Sequence, residues 1–337
     1  MRPTLLAPTV LLFAVLMPSH HGGTRLAAQS RPVARGAVTR GAVTRGSVDR
    51  QAVDRQAVDP APLAAVTTLL DIDRAFSKTS SDLSMRSALD AMFADGVIAP
   101  WQRGEIVKGK AAVIRAVLQS PDSVAKLSWA PIRGGVSADG LHGFTFGYLA
   151  AVHPDGRLTH SKYMAYWVRE PRGWRVAAWK RRPIDAAPLA SVPQSPSLPP
   201  RLQKASTNSN VIARHYRSLV NAEAGFSLLA RRVGLLRAFT VMGSDDAVLM
   251  GGPDDPQFVV GSANIARTVA PVNGDQPATV TWGADTALVA SSGDLGITFG
   301  VIRPKVSQHP GTPSSGAAFF TIWRRRSPAA PWRYIAE

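Results

Sequence analysis

Between Leu63 and Ser80 the apolar positions Val66, Leu69, Leu70 and Phe76 recur three and four residues apart, with Asp73 inside the same series. That spacing winds a helix with one buried stripe. The next stretch, "LSMRSALDAMF", predicts a second helix that buries Leu83, Leu89 and Phe93 and stops before "ADG". A short strand, "VIAPW", and a short helix, "KAAVIRAVLQS", follow. Four strand-like runs close the series: "LSWAPIRGGV", "LHGFTFGYLAAV", "SKYMAYWVRE" and "GWRVAAWKRR". Helices first and an antiparallel meander afterwards predict an α+β unit, with a curved sheet wrapped around the long helix.

The pattern then returns. "GFTFG" at Gly143–Gly147 reappears as "GITFG" at Gly296–Gly300, and a tryptophan precedes each, Trp129 and Trp282. Leu69, Asp73, Phe76 and Ser77 fall on Leu219, Glu223, Phe226 and Ser227, and Gly109 falls on Gly261. Trp167 and Trp174 fall on Trp323 and Trp332. The offset between the two blocks only grows, in small steps, at places that read as loops. Such order predicts a duplicated domain with short insertions. The fold class expected is therefore α+β, as two tandem cone-shaped domains, each a cystatin-like roll. Glycine inside a strand, as at Gly143 and Gly147, marks a bend or a close backbone approach. In a strongly curved sheet it lets the strand fold over the helix.

Outside the two blocks the pattern is lost. Residues 1–28 carry Arg2, an apolar run from Leu5 to Met17 and a small-residue stretch at Ala27–Ala28. This is the layout of a secretory signal peptide, and its run is short of the roughly 20 residues that span a bilayer. Residues 29–62 hold a pentapeptide array, "VARGA VTRGA VTRGS VDRQA VDRQA VDPAP". A period of five turns successive valines about 140° apart on a helix, and alternates faces on a strand. Neither element can bury it, so a disordered tether is expected. Residues 183–210, dense in Pro and Ser, read as an extended spacer. The domains expected are 63–182 and 211–337. The location expected is exported, periplasmic or extracellular.

The 337 residues include no cysteine, which excludes disulfides, zinc–thiolate and iron–sulfur sites and a cysteine nucleophile. The formal charge of +16 invites a nucleic-acid reading. Its distribution argues otherwise. Residues 61–183 hold 17 Lys and Arg against 10 Asp and Glu, and residues 219–337 hold 10 against 9. The remaining excess lies in the leader and the two linkers, so it is spread thinly rather than gathered on one element. Neither a nucleic-acid partner nor a membrane span is expected.

Several pieces resemble the nuclear transport factor 2-like (NTF2-like) superfamily, in its SnoaL-like or ketosteroid-isomerase-like branch. They are "LLDIDRAFS" or "LVNAEAGFS"; "MFADGVI" or "MGSDDAVLM"; "GKAAV" or "GSANI"; and the closing "YMAYWVREPRGWRVAAW" or "FFTIWRRRSPAAPWRYIAE". The resemblance implies a cone with a pocket between sheet and helices. The family includes isomerases, cyclases, dehydratases and non-catalytic binding or assembly modules, so the fold does not give the function. Its isomerase-like enzymes place a carboxylate base at the end of strand one. Here that region reads Ile98, Ala99, Pro100 and Trp101, or Leu249, Met250, Gly251 and Gly252, and neither offers a base. Asp95, Asp245 and Asp246 are expected in the preceding helix–strand turn.

Asp73 and Glu223 stand at matching places on the first helix of each block. A functional reading puts a carboxylate in each pocket; a structural one makes them solvated helix acids or partners of a neighbouring arginine. His142 begins a strand, His153 and His160 flank a hairpin turn, the second block has His309, and ordinary surface positions are expected for all of them, with no metal. "GEIVKGKA" has phosphate-loop spacing, but Ala111 replaces the magnesium-binding hydroxyl and Ile106 and Val107 crowd the cradle. It is rejected. Trp101, Tyr148, Tyr163 and Tyr166 do not recur in the second block, which makes them ligand-pocket candidates with Asp73 and Glu223. Alternation sets Tyr163 and Tyr166 on opposite faces. The function expected is non-catalytic binding of a small apolar or amphipathic molecule, or of a protein partner, without a cofactor. An isomerase- or dehydratase-type enzyme using Asp73 in the first block, and an assembly module pairing sheets within a chain or in a homo-oligomer, are the alternatives.

Overall fold

A computed structural model describes residues 59–80, 83–188, 191–270, 275–304 and 316–337. The expected signal peptide, nearly all of the pentapeptide array and His309 lie outside the described residues. Asp59–Glu337 is one compact unit, and it contains two sheets, each with its own helices.

In the first half, helix α1 (Pro60–Ser80) is followed by α2 (Met85–Met92), β1 (Phe93–Pro100), β2 (Ile106–Lys108) and α3 (Lys110–Leu118). Then come β3 (Lys126–Val136), β4 (His142–Val152), β5 (Leu158–Glu170) and β6 (Gly173–Ile184). The sheet order is β2-β1-β6-β5-β4-β3, antiparallel except for the β1–β6 pair. In the second half, α4 (Ser209–Met242) leads to β7 (Gly243–Leu249), β8 (Val259–Val260), α5 (Ser262–Val269), β9 (Val280–Thr281) and β10 (Ala284–Val289). β11 (Leu295–Pro304), β12 (Ala317–Arg324) and β13 (Arg333–Ala336) close it. Its path, β8-β7-β13-β12-β11-β10, has the same sense, again with one parallel pair, β7–β13.

Helix α1 buries Val66, Leu69 and Asp73 of the expected stripe, with Ser77 beside them, while Leu70 and Phe76 are partly buried. Leu83 departs from expectation. It is 43% exposed, because α2 begins only after Ser84, whose hydroxyl accepts the Ser87 amide. In the second half the two expected helices are joined without a loop. Gly234, with φ of 82°, supplies the break inside α4, a conformation open to glycine at little steric cost.

The repeated glycines are demanded by close approach. A Cβ on Gly143 would lie 2.5 Å from the Leu69 side chain, and one on Gly296 would lie 2.5 Å from that of Leu219. Each helix therefore rests its leucine in a notch in the middle of the sheet.

Alternation sends Phe144, Phe146 and Tyr148 to the face of the first sheet turned away from α1. There they meet Met250, Phe258, Ile297, Phe299, Phe320 and Ile322 in one apolar cluster. The halves thus pack sheet on sheet. At one end of this seam two turns dock reciprocally: Asp294 accepts the Ala138 amide at 3.1 Å, and Asp139 accepts the Ser292 amide at 3.1 Å. The Pro-rich connection runs along the edge strand β3, where the amides of Gln194, Ser197 and Gln203 donate to the carbonyls of Ile132, Gly134 and Ala138. A strand edge that would otherwise offer unpaired groups is covered.

Candidate functional site

Asp73 faces inward from α1 and is 1% exposed. Its oxygens are both engaged: Trp129 Nε1 donates to Oδ1 at 2.7 Å and Tyr163 Oη donates to Oδ2 at 2.8 Å. One turn along the helix, Ser77 Oγ accepts the Trp129 amide at 2.7 Å. Trp167 Nε1 donates to Thr145 Oγ1 at 2.9 Å, within the same enclosure. Burial raises the Asp73 carboxyl above its usual range, opposed by the donors Trp129, Tyr163 and Thr145. Burial and the adjacent carboxylate push the Tyr163 hydroxyl well up.

The second half builds the same hub from different parts. Glu223, fully buried, accepts Trp282 Nε1 at 2.8 Å on Oε1, and Thr298 Oγ1 at 2.6 Å and Trp323 Nε1 at 3.0 Å on Oε2. Ser227 Oγ takes the Trp282 amide at 3.0 Å. Its carboxyl too is raised by burial against the pull of three donors. The solvated or arginine-paired position expected for the two acids is therefore overturned: each is enclosed by the sheet, and each finds its partners in tryptophan, threonine or tyrosine. The matched acid and matched tryptophan, recurring together, were the signal for this pairing.

The other candidates are not brought together. Tyr163 joins Asp73, but Tyr166 lies on the opposite face, where its hydroxyl meets His142 Nδ1 at 3.0 Å. Tyr148 also faces the seam and donates to Gln257 Oε1 at 2.7 Å. Neither lines the cone, because positions 148 and 166 differ in parity from 163. Trp101 packs half-buried against the first-half core just beyond β1. Asp95, Asp245 and Asp246 lie within strands rather than in a turn before them. Asp95 pairs with Lys110 at 2.9 Å, and Asp246 pairs with Arg133 across the seam.

His153, only 5% exposed, is not the surface residue expected. Its Nε2 sits 3.1 Å from both Asp122 Oδ1 and Thr159 Oγ1. Both contacts use one nitrogen, so this is not a relay through the ring. Among the described residues no cluster of three or more His, Asp or Glu could hold a metal. No helix among them is long and apolar enough to cross a membrane.

A groove of about 250 Å³ opens between α1 and α2. Ile72, Ala75, Phe76, Leu83, Ala88 and Ala91 give it an apolar lining. Phe76 also stacks on Trp167, with ring centroids 6.0 Å apart, and so stands between the groove and the hydrogen-bonded interior.

No protein-family model and no curated protein sequence matches the chain. Solved structures similar to it are NTF2-like. A ketosteroid isomerase-like protein from Erwinia carotovora atroseptica is 11% identical, over 35% of this chain and 96% of its own, with a TM-score of 0.30. An NTF2-like protein with a cystatin-like fold from Novosphingobium aromaticivorans is 17% identical, over 38% and 92%, with a TM-score of 0.30. The CaMKII hub of S. rosetta is 18% identical, over 35% and 95%, with a TM-score of 0.27.

Proposed function

We propose that the chain is an exported, non-catalytic binding protein built from two tandem NTF2-like copies, the first of which takes a small apolar or amphipathic molecule. The observation that carries this reading is the groove between α1 and α2, a space of about 250 Å³ with an apolar lining beside a hydrogen-bonded interior. Its size falls just below the roughly 300–1,000 Å³ of drug-sized ligand sites, which suits a small molecule. The enclosed carboxylates support the non-catalytic part. Asp73 and Glu223 have both oxygens occupied by protein donors, whereas a general base needs a free oxygen within reach of a substrate proton. The matched hubs and the shared strand order support the tandem copies, with the boundaries 63–182 and 211–337. The apolar run of residues 5–17 supports export.

Native mass spectrometry before and after denaturation, with Nile red as an uncharged probe, tests the reading. A small molecule released on unfolding, or saturable dye binding that Ala88→Trp weakens by filling the groove, is the expected result. A bare chain with no saturable dye binding, or equal binding by Ala88→Trp, overturns it. The Asp73–Tyr163 contact favours one other reading, an isomerase- or dehydratase-type enzyme in the first half. That reading requires a turnover that Asp73→Asn abolishes in a folded protein.

A further inference from the structure

The groove between α1 and α2 has an apolar body and a polar end. Along α1, Ile72 and Phe76 come first, and Thr79 and Ser80 follow one turn on. Seven residues of helix, from Ile72 to Thr79, span roughly 10 Å. The α2 wall presents Ala88 and Ala91, whose side chains end at a methyl group and leave the space between the helices open. Leu83 belongs to the same lining, so its 43% exposed side chain completes the apolar wall. About 250 Å³ drawn out over that length is a slot rather than a chamber, which suits one unbranched chain.

The two hydroxyls at the polar end already use their protons within the protein. Thr79 Oγ1 donates to the Ala75 carbonyl at 2.9 Å, and Ser80 Oγ donates to the Ser77 carbonyl at 2.7 Å. A hydroxyl carries one proton and two acceptor lone pairs, so toward the groove both can only accept. The polar end is therefore built for a donor. Among the described residues no charged side chain lines the groove. A carboxylate there would turn acceptors toward acceptors and find no cation. An ammonium would donate, but its charge would face an apolar lining with no carboxylate in it. A neutral hydroxyl meets both conditions.

We infer that the groove selects uncharged straight-chain alcohols of medium length. The ligand hydroxyl donates to Thr79 or Ser80, and the alkyl chain runs along α1 over Phe76 toward Ile72. This inference rests on the proposed small-molecule groove and adds the chemical class of its ligand. Phe76 gives the chain a fixed floor, since its ring is stacked on Trp167 with centroids 6.0 Å apart. Each methylene that leaves water for such a lining tightens binding about fourfold. Affinity therefore comes from the chain, and the hydroxyl decides against charged head groups.

The test displaces Nile red from the full chain with n-butanol, n-hexanol and n-octanol, and with octanoate and octylammonium at matched ionic strength. Affinity should rise about fourfold per methylene from n-butanol to n-octanol. Octanoate and octylammonium should each bind at least about tenfold more weakly than n-octanol. The double variant Thr79→Val, Ser80→Ala removes both acceptors and should weaken n-octanol by about twofold to tenfold. Ala88→Trp should weaken n-octanol together with the dye. Saturable dye binding in which either charged compound matches n-octanol, or in which added methylenes bring no gain, overturns this inference and leaves the groove reading standing. Unchanged n-octanol affinity in the double variant, or in Ala88→Trp, overturns the inference as well, because the hydroxyl or the whole alcohol then lies elsewhere. No saturable dye binding at all removes the groove reading and this inference with it.

Discussion

The two halves solve one problem with different side chains. Each buries an acid on its long helix and closes it with a tryptophan, Trp129 in β3 or Trp282 just before β10. In the first half the acid is Asp73, and the second oxygen is reached by Tyr163 from across the sheet. In the second half the acid is Glu223, one methylene longer, and Phe319 stands where Tyr163 does, so the ring recurs there, against expectation, without its hydroxyl. The longer side chain reaches Thr298 and Trp323 instead. Acid length and the presence of a tyrosine hydroxyl change together, because an enclosed carboxylate left short of donors costs more than the hydrogen bonds themselves return. What the halves share is the requirement that both oxygens be occupied.

The strongest way to break the comparison is to delete the acids. Glu223→Ala leaves three buried donors and a void, and should cost about 3–5 kcal/mol in urea unfolding. Asp73→Ala strands two direct donors and should cost about 2–4 kcal/mol. Equal or reversed losses would show that donor count does not set the ranking.

Next come the notches. Gly143→Ala and Gly296→Ala each drive a methyl against a helix leucine and should cost about 1–3 kcal/mol. The two values should agree, since the contact distance is the same in both halves.

The comparison is sharpened by exchange. Tyr163→Phe alone should cost about 1–2 kcal/mol. Adding Asp73→Glu imposes the second half's arrangement on the first, and the double variant should recover part of that loss, with a coupling of about 0.5–2 kcal/mol. Additive losses in that cycle would mean the two differences between the hubs are independent.

The smallest effect expected is the pH dependence carried by Glu337 in the second half. The Glu337 carboxyl is pushed up to about 7, by burial and then by the Glu223 charge. A raised acid favours the fold when protonated, so its contribution is full below pH 4.5 and lost as pH climbs through about 7. Glu337→Gln should flatten the fall in melting temperature between pH 5 and pH 8. Partial exposure of the residue limits the difference to about 1 kcal/mol. The matched position in the first half is Trp179, which does not ionise, so that position adds no such term.

Much of the element series was legible in the chain. The leucine spacing of α1, the alternation in β3–β6 and the recurrence of "GFTFG" as "GITFG" follow from local periodicity, which depends only on near neighbours. Leu83 was misread because a cap at Ser84, rather than the apolar pattern, starts α2. The candidate site was legible only in pieces. Asp73 and Glu223 stood out by recurrence, and the parity of Tyr163 and Tyr166 placed them on opposite faces. That Tyr163 belongs with Asp73 and that Tyr148 and Tyr166 belong to the seam depend on contacts between residues far apart in the chain. Periodicity along one strand assigns a side chain to a face but not to what covers that face. The amino-acid sequence by itself determined the two α+β halves and the strand faces, since these are set by backbone geometry and burial pattern. Only the tertiary structure decided which face is enclosed by a helix and which by the other sheet, because that choice rests on the mutual fit of two whole surfaces.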